Sequence, residues 1–163
     1  MKAWMQLIRP SNVLTATSDV LAGLAIDCLL MEEALPSWDV ILNIVFSSML
    51  LYTGGIVYND VFDAKLDKIE RPERPIPSGR IALSSAAIFG AVAFIIACWL
   101  AYQVNMTCFY MALAIVLMCL VYNGKAKHHF ILGPITMGMC RGLNLLLGFA
   151  VIPESLSYWF IAF

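Results

Sequence analysis

The sequence predicts an all-α membrane protein, a polytopic bundle of transmembrane helices. Apolar residues make up 61% of the 163 residues and charged residues only 13%, whereas soluble domains contain about 45–50% and about 25%. The mean hydropathy of +0.83 agrees with this excess. The net charge of −1 offers no attraction to nucleic acid. This composition therefore excludes a nucleic-acid binder, a disordered chain and most water-soluble folds.

Five segments are long and apolar enough to cross a bilayer, whose hydrocarbon core requires roughly 20 residues of helix. The predicted spans are residues 13–31, 38–58, 82–102, 106–122 and 130–152. A sixth apolar run begins at Leu156, but by Phe163 it would rise only about 12 Å. We therefore expect five full spans and the start of a sixth. They would form a single membrane domain, residues 1–163, equivalent to the N-terminal part of a longer fold.

The basic residues fall on one side of these spans. Nine of the ten are Lys2, Arg9, Lys65, Lys68, Arg71, Arg74, Arg80, Lys125 and Lys127. Because Lys and Arg are enriched in cytoplasmic loops, the pattern predicts an integral multi-pass protein with a cytoplasmic N-terminus. In a bacterium it would reside in the plasma (inner) membrane.

Acidic residues recur at helical spacing directly after the second predicted span. At about 100° per residue, one helical face carries Asn59, Asp60, Asp63, Asp67 and Glu70. Carboxylates crowded on one face repel each other unless a cation compensates. Oxygen-rich sites suit Mg²⁺, which completes its coordination with substrate phosphates. The pattern favours a Mg²⁺-held diphosphate at the membrane mouth, and the alternative is a solvated acidic face on a loop helix.

A proline-rich segment with three arginines follows, residues 71–80, with the sequence RPERPIPSGR. Its prolines cannot continue a helix and favour a stiff, extended segment. Such a segment would hold Arg71 and Arg74 over the mouth, where guanidinium groups match phosphate oxygens. The alternative, compatible with the first, is that these arginines set topology and contact anionic headgroups.

Three of the polar residues inside the predicted spans are candidates for a structural or functional role. Arg141 and Asn144 share a face of the fifth span, and Asp19 lies at a similar depth in the first. A charge at mid-helix costs about 2.5–3.5 kcal/mol on insertion scales. We expect Asp19 and Arg141 to form an ion pair that holds the bundle together, or to line a wet cavity with Asn144.

Four segments carry a family resemblance. Residues 59–67 (NDVFDAKLD), followed by residues 71–79 (RPERPIPSG), resemble the first aspartate-rich motif of the UbiA superfamily of intramembrane prenyltransferases. Residues 9–12 (RPSN) are similar to that family's N-terminal motif, and residues 133–144 resemble its EboC-like branch. The resemblance runs along the whole chain but matches only the N-terminal half of the family fold.

The resemblance implies a helical barrel that transfers a prenyl group to an acceptor, often aromatic, within the membrane. The donor would be a prenyl diphosphate bound with the cofactor Mg²⁺. The expected metal ligands are Asn59, Asp60, Asp63 and Asp67, and the three aspartates are the expected catalytic residues. The expected substrate contacts are Asn12, Asn59, Arg71, Arg74, Lys127, Arg141 and Asn144.

The sequence also departs from the family pattern. A second aspartate-rich motif is absent, since the only acids after Glu70 are Glu73 and Glu154. The chain alone could therefore be an inactive fragment that needs a missing C-terminal half. Three alternatives remain: a phosphatidyl-transfer enzyme of the CDP-alcohol type, a polytopic transporter, and a non-catalytic isoprenoid-binding or assembly protein.

Overall fold

Seven α-helices and one 3₁₀ turn make up the structure, a computed structural model that describes residues 2–152 without the side chain of His128. The helices are α1 (Lys2–Ile8), α2 (Pro10–Met31), α3 (Trp38–Phe62), α4 (Ala64–Glu70), α5 (Leu83–Val104), α6 (Met106–Gly124) and α7 (Leu132–Phe149), and the 3₁₀ turn is Ala126–His128. The described residues contain no strand. The predicted all-α class is therefore confirmed.

Within residues 2–152, four helical segments are long and apolar enough to cross a membrane: Lys2–Met31, Trp38–Phe62, Leu83–Val104 and Met106–Gly124. They correspond to the first four predicted spans, of which only Ala82 falls outside them. The fifth predicted span is helix α7, which is 18 residues long and is not one of the four. It carries the polar residues Arg141 and Asn144. The sixth run, from Leu156, lies outside the described residues.

The first long helical segment is broken at Arg9, between α1 and α2. Arg9 has the left-handed conformation (φ 51°, ψ 66°), which costs a non-glycine residue about 1–3 kcal/mol. Pro10 explains the break, because the residue before a proline is disfavoured in the right-handed helical region. The break lets α1 fold against α3, where Leu7 and Val57 are fully buried in one apolar cluster.

Helices α2 and α7 approach closely because glycines lie between them. A methyl group on Gly148 would overlap the carbonyl oxygen of Val20, and one on Gly23 would overlap the carbonyl oxygen of Leu145. Small residues permit such backbone approach between helices in membranes. The backbones of α2 and α7 are therefore in direct contact at these two glycines.

Buried hydrogen bonds fix how α2, α3 and α7 align. The amide nitrogen of Asn144 donates to the carbonyl oxygen of Ala16 at 2.9 Å. The hydroxyl of Ser48 donates to Asn144 Oδ1 at 2.7 Å. All of these groups are buried and satisfied, as polar atoms inside a bundle must be. Asn144 thus connects α7 to both α2 and α3.

We expect Gly148→Ala to destabilise the protein, because the added methyl group has no room against α2. Overpacking of this kind costs about 1–3 kcal/mol. The matched control is Gly142→Ala in the same helix, where a methyl group meets nothing within 4 Å. Thermal unfolding in detergent should show a lower midpoint for Gly148→Ala and an unchanged or higher one for the control. Equal midpoints would contradict the close packing of α2 on α7.

Candidate functional site

The aspartates of the predicted motif lie where α3 passes into α4. Asp63 separates the two helices (φ −83°, ψ −2°), but its N–H still donates to the Asn59 carbonyl at 3.0 Å. Asp67 N–H donates in turn to the Asp63 carbonyl at 2.8 Å. Helical spacing therefore continues through the break, and Asp60, Asp63 and Asp67, called here the aspartate cluster, stay on one side. Glu70, which the sequence places on the same face, is exposed.

Two arginines hold the most deeply buried members of the cluster. Asp60 and Asp67 are only 2% and 3% exposed. Arg9 Nη2 lies 2.6 Å from Asp60 Oδ1. Arg74 Nη1 lies 2.6 Å from Asp67 Oδ2 and 3.5 Å from Asp60 Oδ1. One guanidinium nitrogen thus serves both carboxylates.

A lysine holds the third carboxylate. Lys127, in the 3₁₀ turn after α6, places Nζ 2.5 Å from Asp63 Oδ1, and its side chain is only 8% exposed. The turn is packed tightly, because a methyl group on Gly133 would come within 3.3 Å of the Lys127 carbonyl oxygen. The cluster therefore joins the loop after α3 to the loop after α6.

The segment of residues 71–80 has a different shape from the one predicted. It forms consecutive turns instead of an extended strap, with Arg74 N–H donating to the Arg71 carbonyl and Ser78 N–H to the Arg74 carbonyl. Proline fixes a φ value that turns also accept, and the buried Ile76 holds the segment against the bundle. As a result Arg74 faces the cluster, whereas Arg71 is exposed.

Arg74 remains charged in this setting. Burial alone would lower the pKa of its guanidinium, but the hydrogen bond to Asp67 and the negative charges of Asp60, Asp67 and Asp63 raise the pKa above its ordinary value. A charged Arg74 is what a buried carboxylate pair requires.

A cavity of about 330 Å³ lies beside the cluster. Four of the predicted substrate contacts line it: Asn12, Asn59, Arg141 and Asn144. Arg9 connects the two features, because it lines the cavity while its guanidinium contacts Asp60. Tyr52 and Tyr122 add aromatic surface to a lining that is otherwise mostly apolar.

Asp19 and Arg141 meet in the wall of this cavity. Arg141 Nη2 donates to Asp19 Oδ2 at 3.1 Å and to Oδ1 at 3.3 Å, and Nε donates to Oδ2 at 3.3 Å. The predicted ion pair is therefore confirmed. The two residues also line the cavity with Asn144.

Two contributors to the site were not recognised from the sequence. The sequence identifies Arg9 only as part of an N-terminal motif. Its contact with Asp60 depends on its left-handed backbone conformation. The proline that follows it is the one sequence signal for that conformation. Asn123 is 3% exposed, lines the cavity, and donates to the Gly55 carbonyl at 3.4 Å. Nothing in the sequence distinguished it from a helix-terminal asparagine.

The aspartate cluster has the right donors for Mg²⁺. Within residues 2–152, no three His, Cys, Asp or Glu side chains are already arranged around one point as a metal site. However, Asp60 and Asp67 already share one cationic group, Arg74 Nη1. Carboxylate oxygens, with the amide oxygen of Asn59 next to them, are ligands that Mg²⁺ prefers. The residues therefore fit a divalent cation in their chemistry.

Comparison with known proteins gives concordant matches. The UbiA prenyltransferase family model matches residues 20–163. The chain is 32% identical over 155 residues to digeranylgeranylglyceryl phosphate synthase from Methanothrix thermoacetophila, covering 94% of this chain and 56% of the relative. It is 34% identical over 155 residues to the protein of the same name from Methanococcoides burtonii, covering 93% and 55%.

A solved structure agrees with these relatives. It comes from work on digeranylgeranylglyceryl phosphate synthase in membranes, and it superposes with a TM-score of 0.84 at 29% identity. The match covers 92% of this chain and 52% of that one. The chain thus spans about half the length of the curated relatives it matches.

We expect Arg74→Met to destabilise the protein strongly, because it leaves two buried carboxylates without their shared cation. Removing one partner of a buried ion pair costs about 3–5 kcal/mol. The matched control is Arg71→Met, three residues away and exposed, which should change the free energy of unfolding by less than about 0.5 kcal/mol. Chemical denaturation in detergent measures both. A similar loss in the two variants would contradict the assigned pairing.

Proposed function

The chain belongs to the UbiA prenyltransferase family, and from this premise we propose that it is a prenyltransferase acting within the membrane. The prenyl group would pass from a prenyl diphosphate to a lipophilic acceptor. The observation that carries this proposal is the buried aspartate cluster with its three cations, placed at the rim of a largely apolar cavity. Assignment to the EboC-like branch stays a prediction.

The aspartate cluster and its cations are the proposed diphosphate site. Arg9, Arg74 and Lys127 are held within reach of anionic oxygens by Asp60, Asp67 and Asp63. Guanidinium groups bind phosphate oxygens through paired hydrogen bonds, and an ammonium group acts as a point charge. Arg74 and Lys127 therefore orient the diphosphate. Arg9 is the third cation of the site, and it also lines the cavity. Arg71 stays a weaker candidate because it is exposed.

Asn59, Asp60, Asp63 and Asp67 are the residues that would hold Mg²⁺. When bound, the ion supplies positive charge that stabilises the leaving diphosphate. The chain's own contribution is to hold three carboxylates close together. It does so by pairing each carboxylate with a cation that can turn to the substrate.

The cavity is the proposed site of the prenyl chain and the acceptor. Its apolar wall excludes water from a reactive allylic carbon. The ring faces of Tyr52 and Tyr122, which line the cavity, can stabilise positive charge on that carbon. Asn12, Arg141 and Asn144 provide polar contacts along the wall. The relatives are named as synthases of a digeranylgeranylglyceryl phosphate, and from that name we adopt an isoprenoid donor for this chain.

A transporter is less well supported by the site, because transport does not explain the aspartate cluster and its three cations at the end of α3. A non-catalytic isoprenoid-binding protein would use the same residues, and only turnover with an acceptor separates it from an enzyme.

We expect Asp67→Asn to weaken Mg²⁺-dependent binding of geranylgeranyl diphosphate by at least about tenfold. The change removes a carboxylate from the cluster while keeping its shape. Calorimetric titration of the chain in lipid nanodiscs measures the affinity with and without Mg²⁺. The matched control is Glu70→Gln, which removes an exposed carboxylate three residues away and should change the affinity by less than about twofold.

Two results would refute the site. The first is tight binding to Asp67→Asn, and the second is binding to the unaltered chain that does not depend on Mg²⁺. Retained folding of Asp67→Asn, checked by helix content, ensures that a loss of binding reflects the site.

We also propose that the N-terminus and the aspartate cluster face the cytoplasm. In a background without the five cysteines, Leu35→Cys in the α2–α3 loop and Lys65→Cys in α4 offer two exposed positions on opposite ends. In intact bacterial cells, an impermeant maleimide should label Leu35→Cys, and it should label Lys65→Cys only after permeabilisation. The reverse pattern would overturn the orientation.

A further inference from the structure

His129 lies between the 3₁₀ turn that carries Lys127 and the start of α7. Its N–H donates to the Ala126 carbonyl at 3.0 Å, which closes the turn, and its own carbonyl accepts from Gly133 N–H at 2.9 Å. Its backbone is extended (φ −98°, ψ 127°). An extended residue whose carbonyl accepts the first helical hydrogen bond is an N-cap. His129 therefore caps α7 just before Leu132, where the regular helix begins.

The imidazole of His129 completes this cap. Its Nδ1 accepts from the N–H groups of Ile131 and Leu132, both at 3.3 Å. The first N–H groups of a helix have no partner within the helix, and a capping side chain serves the second and third residues after the N-cap. Histidine is not one of the residues that usually cap helices, which are Ser, Thr, Asp and Asn. The sequence alone therefore does not indicate this role.

The turn that His129 closes determines where Lys127 lies. Ala126 in this turn is buried, and a methyl group on Gly133 would come within 3.3 Å of the Lys127 carbonyl oxygen. The turn is therefore packed against the beginning of α7. The Lys127 side chain is itself buried, and its Nζ contacts Asp63. A shift of the turn would move this Nζ relative to the aspartate cluster.

The contacts of His129 are local, whereas the contact of Lys127 is not. The hydrogen bonds of His129 all lie within residues 126–133. Lys127 instead connects this short segment to Asp63 at the end of α3. Its ammonium group is carried on a flexible four-carbon side chain, so its place in the site depends on how firmly the backbone beneath it is held. Groups that bind a substrate must be held to within about 0.5 Å.

We propose that His129 is a positioning residue for the diphosphate site. By capping α7 it fixes the turn that holds Lys127 opposite Asp63, and it thereby sets the affinity of the site for diphosphate. This inference rests on the proposed function, in which Lys127 orients the diphosphate. His129 acts through Lys127 and not by contact with the substrate, so its effect must disappear when Lys127 is removed.

The first measurement is the rate at which Lys127 reacts with a water-soluble N-hydroxysuccinimide ester of acetic acid, followed by mass spectrometry on the chain in nanodiscs. Lys125 is exposed and lies two residues earlier, so it is the internal reference. In the unaltered chain, the buried Lys127 should react at least about tenfold more slowly than Lys125. His129→Ala should raise the rate at Lys127 by about fivefold, the usual effect of losing a cap, and leave Lys125 unchanged.

Two further variants separate the cap from a general disturbance of the loop. His129→Asn replaces one acceptor by another that caps helices well, so it should restore the slow reaction of Lys127. Phe130→Ala is the matched control, because it truncates the next residue, which is 93% exposed, and it should leave the rate unchanged. His129 is exposed as well, so these variants should keep the helix content of the unaltered chain, which circular dichroism checks.

The second measurement is the affinity for geranylgeranyl diphosphate with Mg²⁺, by calorimetric titration of the same preparations. His129→Ala should weaken binding by about fivefold, and His129→Asn should restore it. In a chain that already carries Lys127→Met, His129→Ala should have no further effect, because the two residues act on binding as one unit. A purely structural role for His129 would weaken binding equally with and without Lys127.

Equal rates at Lys125 and Lys127 in the unaltered chain would overturn the inference even if His129→Ala failed to fold. An unchanged rate at Lys127 in a folded His129→Ala would overturn it as well, and so would an equal loss of affinity with and without Lys127. If the unaltered chain did not bind geranylgeranyl diphosphate, the proposed function would be refuted. The reaction rate of Lys127 would still show whether His129 holds it in place.

Discussion

The pairing of buried carboxylates with cations at the end of α3 is the interaction on which the rest of the site depends. Asp60 and Asp67 are almost completely buried, and without partners their charges would be expelled or neutralised. Arg9, Arg74 and Lys127 come from three separate segments of the chain. Each pair therefore stabilises a tertiary contact as well as a charge. Together the pairs hold three parts of the chain against the end of α3: the break between α1 and α2, the turns of residues 71–80, and the 3₁₀ turn after α6.

The parts of the site that depend on local spacing could be predicted from the sequence. Asp60, Asp63 and Asp67 share a side because helical hydrogen bonding continues through Asp63, and spacing alone contains that information. The pairing of Asp19 with Arg141 could be predicted because the depth of each residue in its helix can be counted along the sequence, and the two depths are equal. Long apolar runs likewise predict most of the bundle, because a helix that crosses a membrane must satisfy its own backbone.

The parts that depend on turns and tertiary contacts could not be predicted in this way. Whether Arg71 or Arg74 reaches the cluster depends on how residues 71–80 turn, and proline is compatible with both an extended and a turned chain. Glu70 has the helical phase of the buried aspartates, yet it lies where α4 ends and the chain leaves the bundle. Arg9 reaches Asp60 only through a left-handed backbone, a conformation that few non-glycine residues adopt.

The two polar sites differ in how they are built, and this difference follows from where they lie. The aspartate cluster is at the end of α3, where three separate segments bring Arg9, Arg74 and Lys127 to its carboxylates. The Asp19–Arg141 pair lies about 14 Å along its helices, in the wall of the cavity. Its two residues belong to α2 and α7, which Gly23 and Gly148 allow into close contact. The cluster therefore depends on how the connecting segments turn, whereas the Asp19–Arg141 pair depends only on how two helices pack.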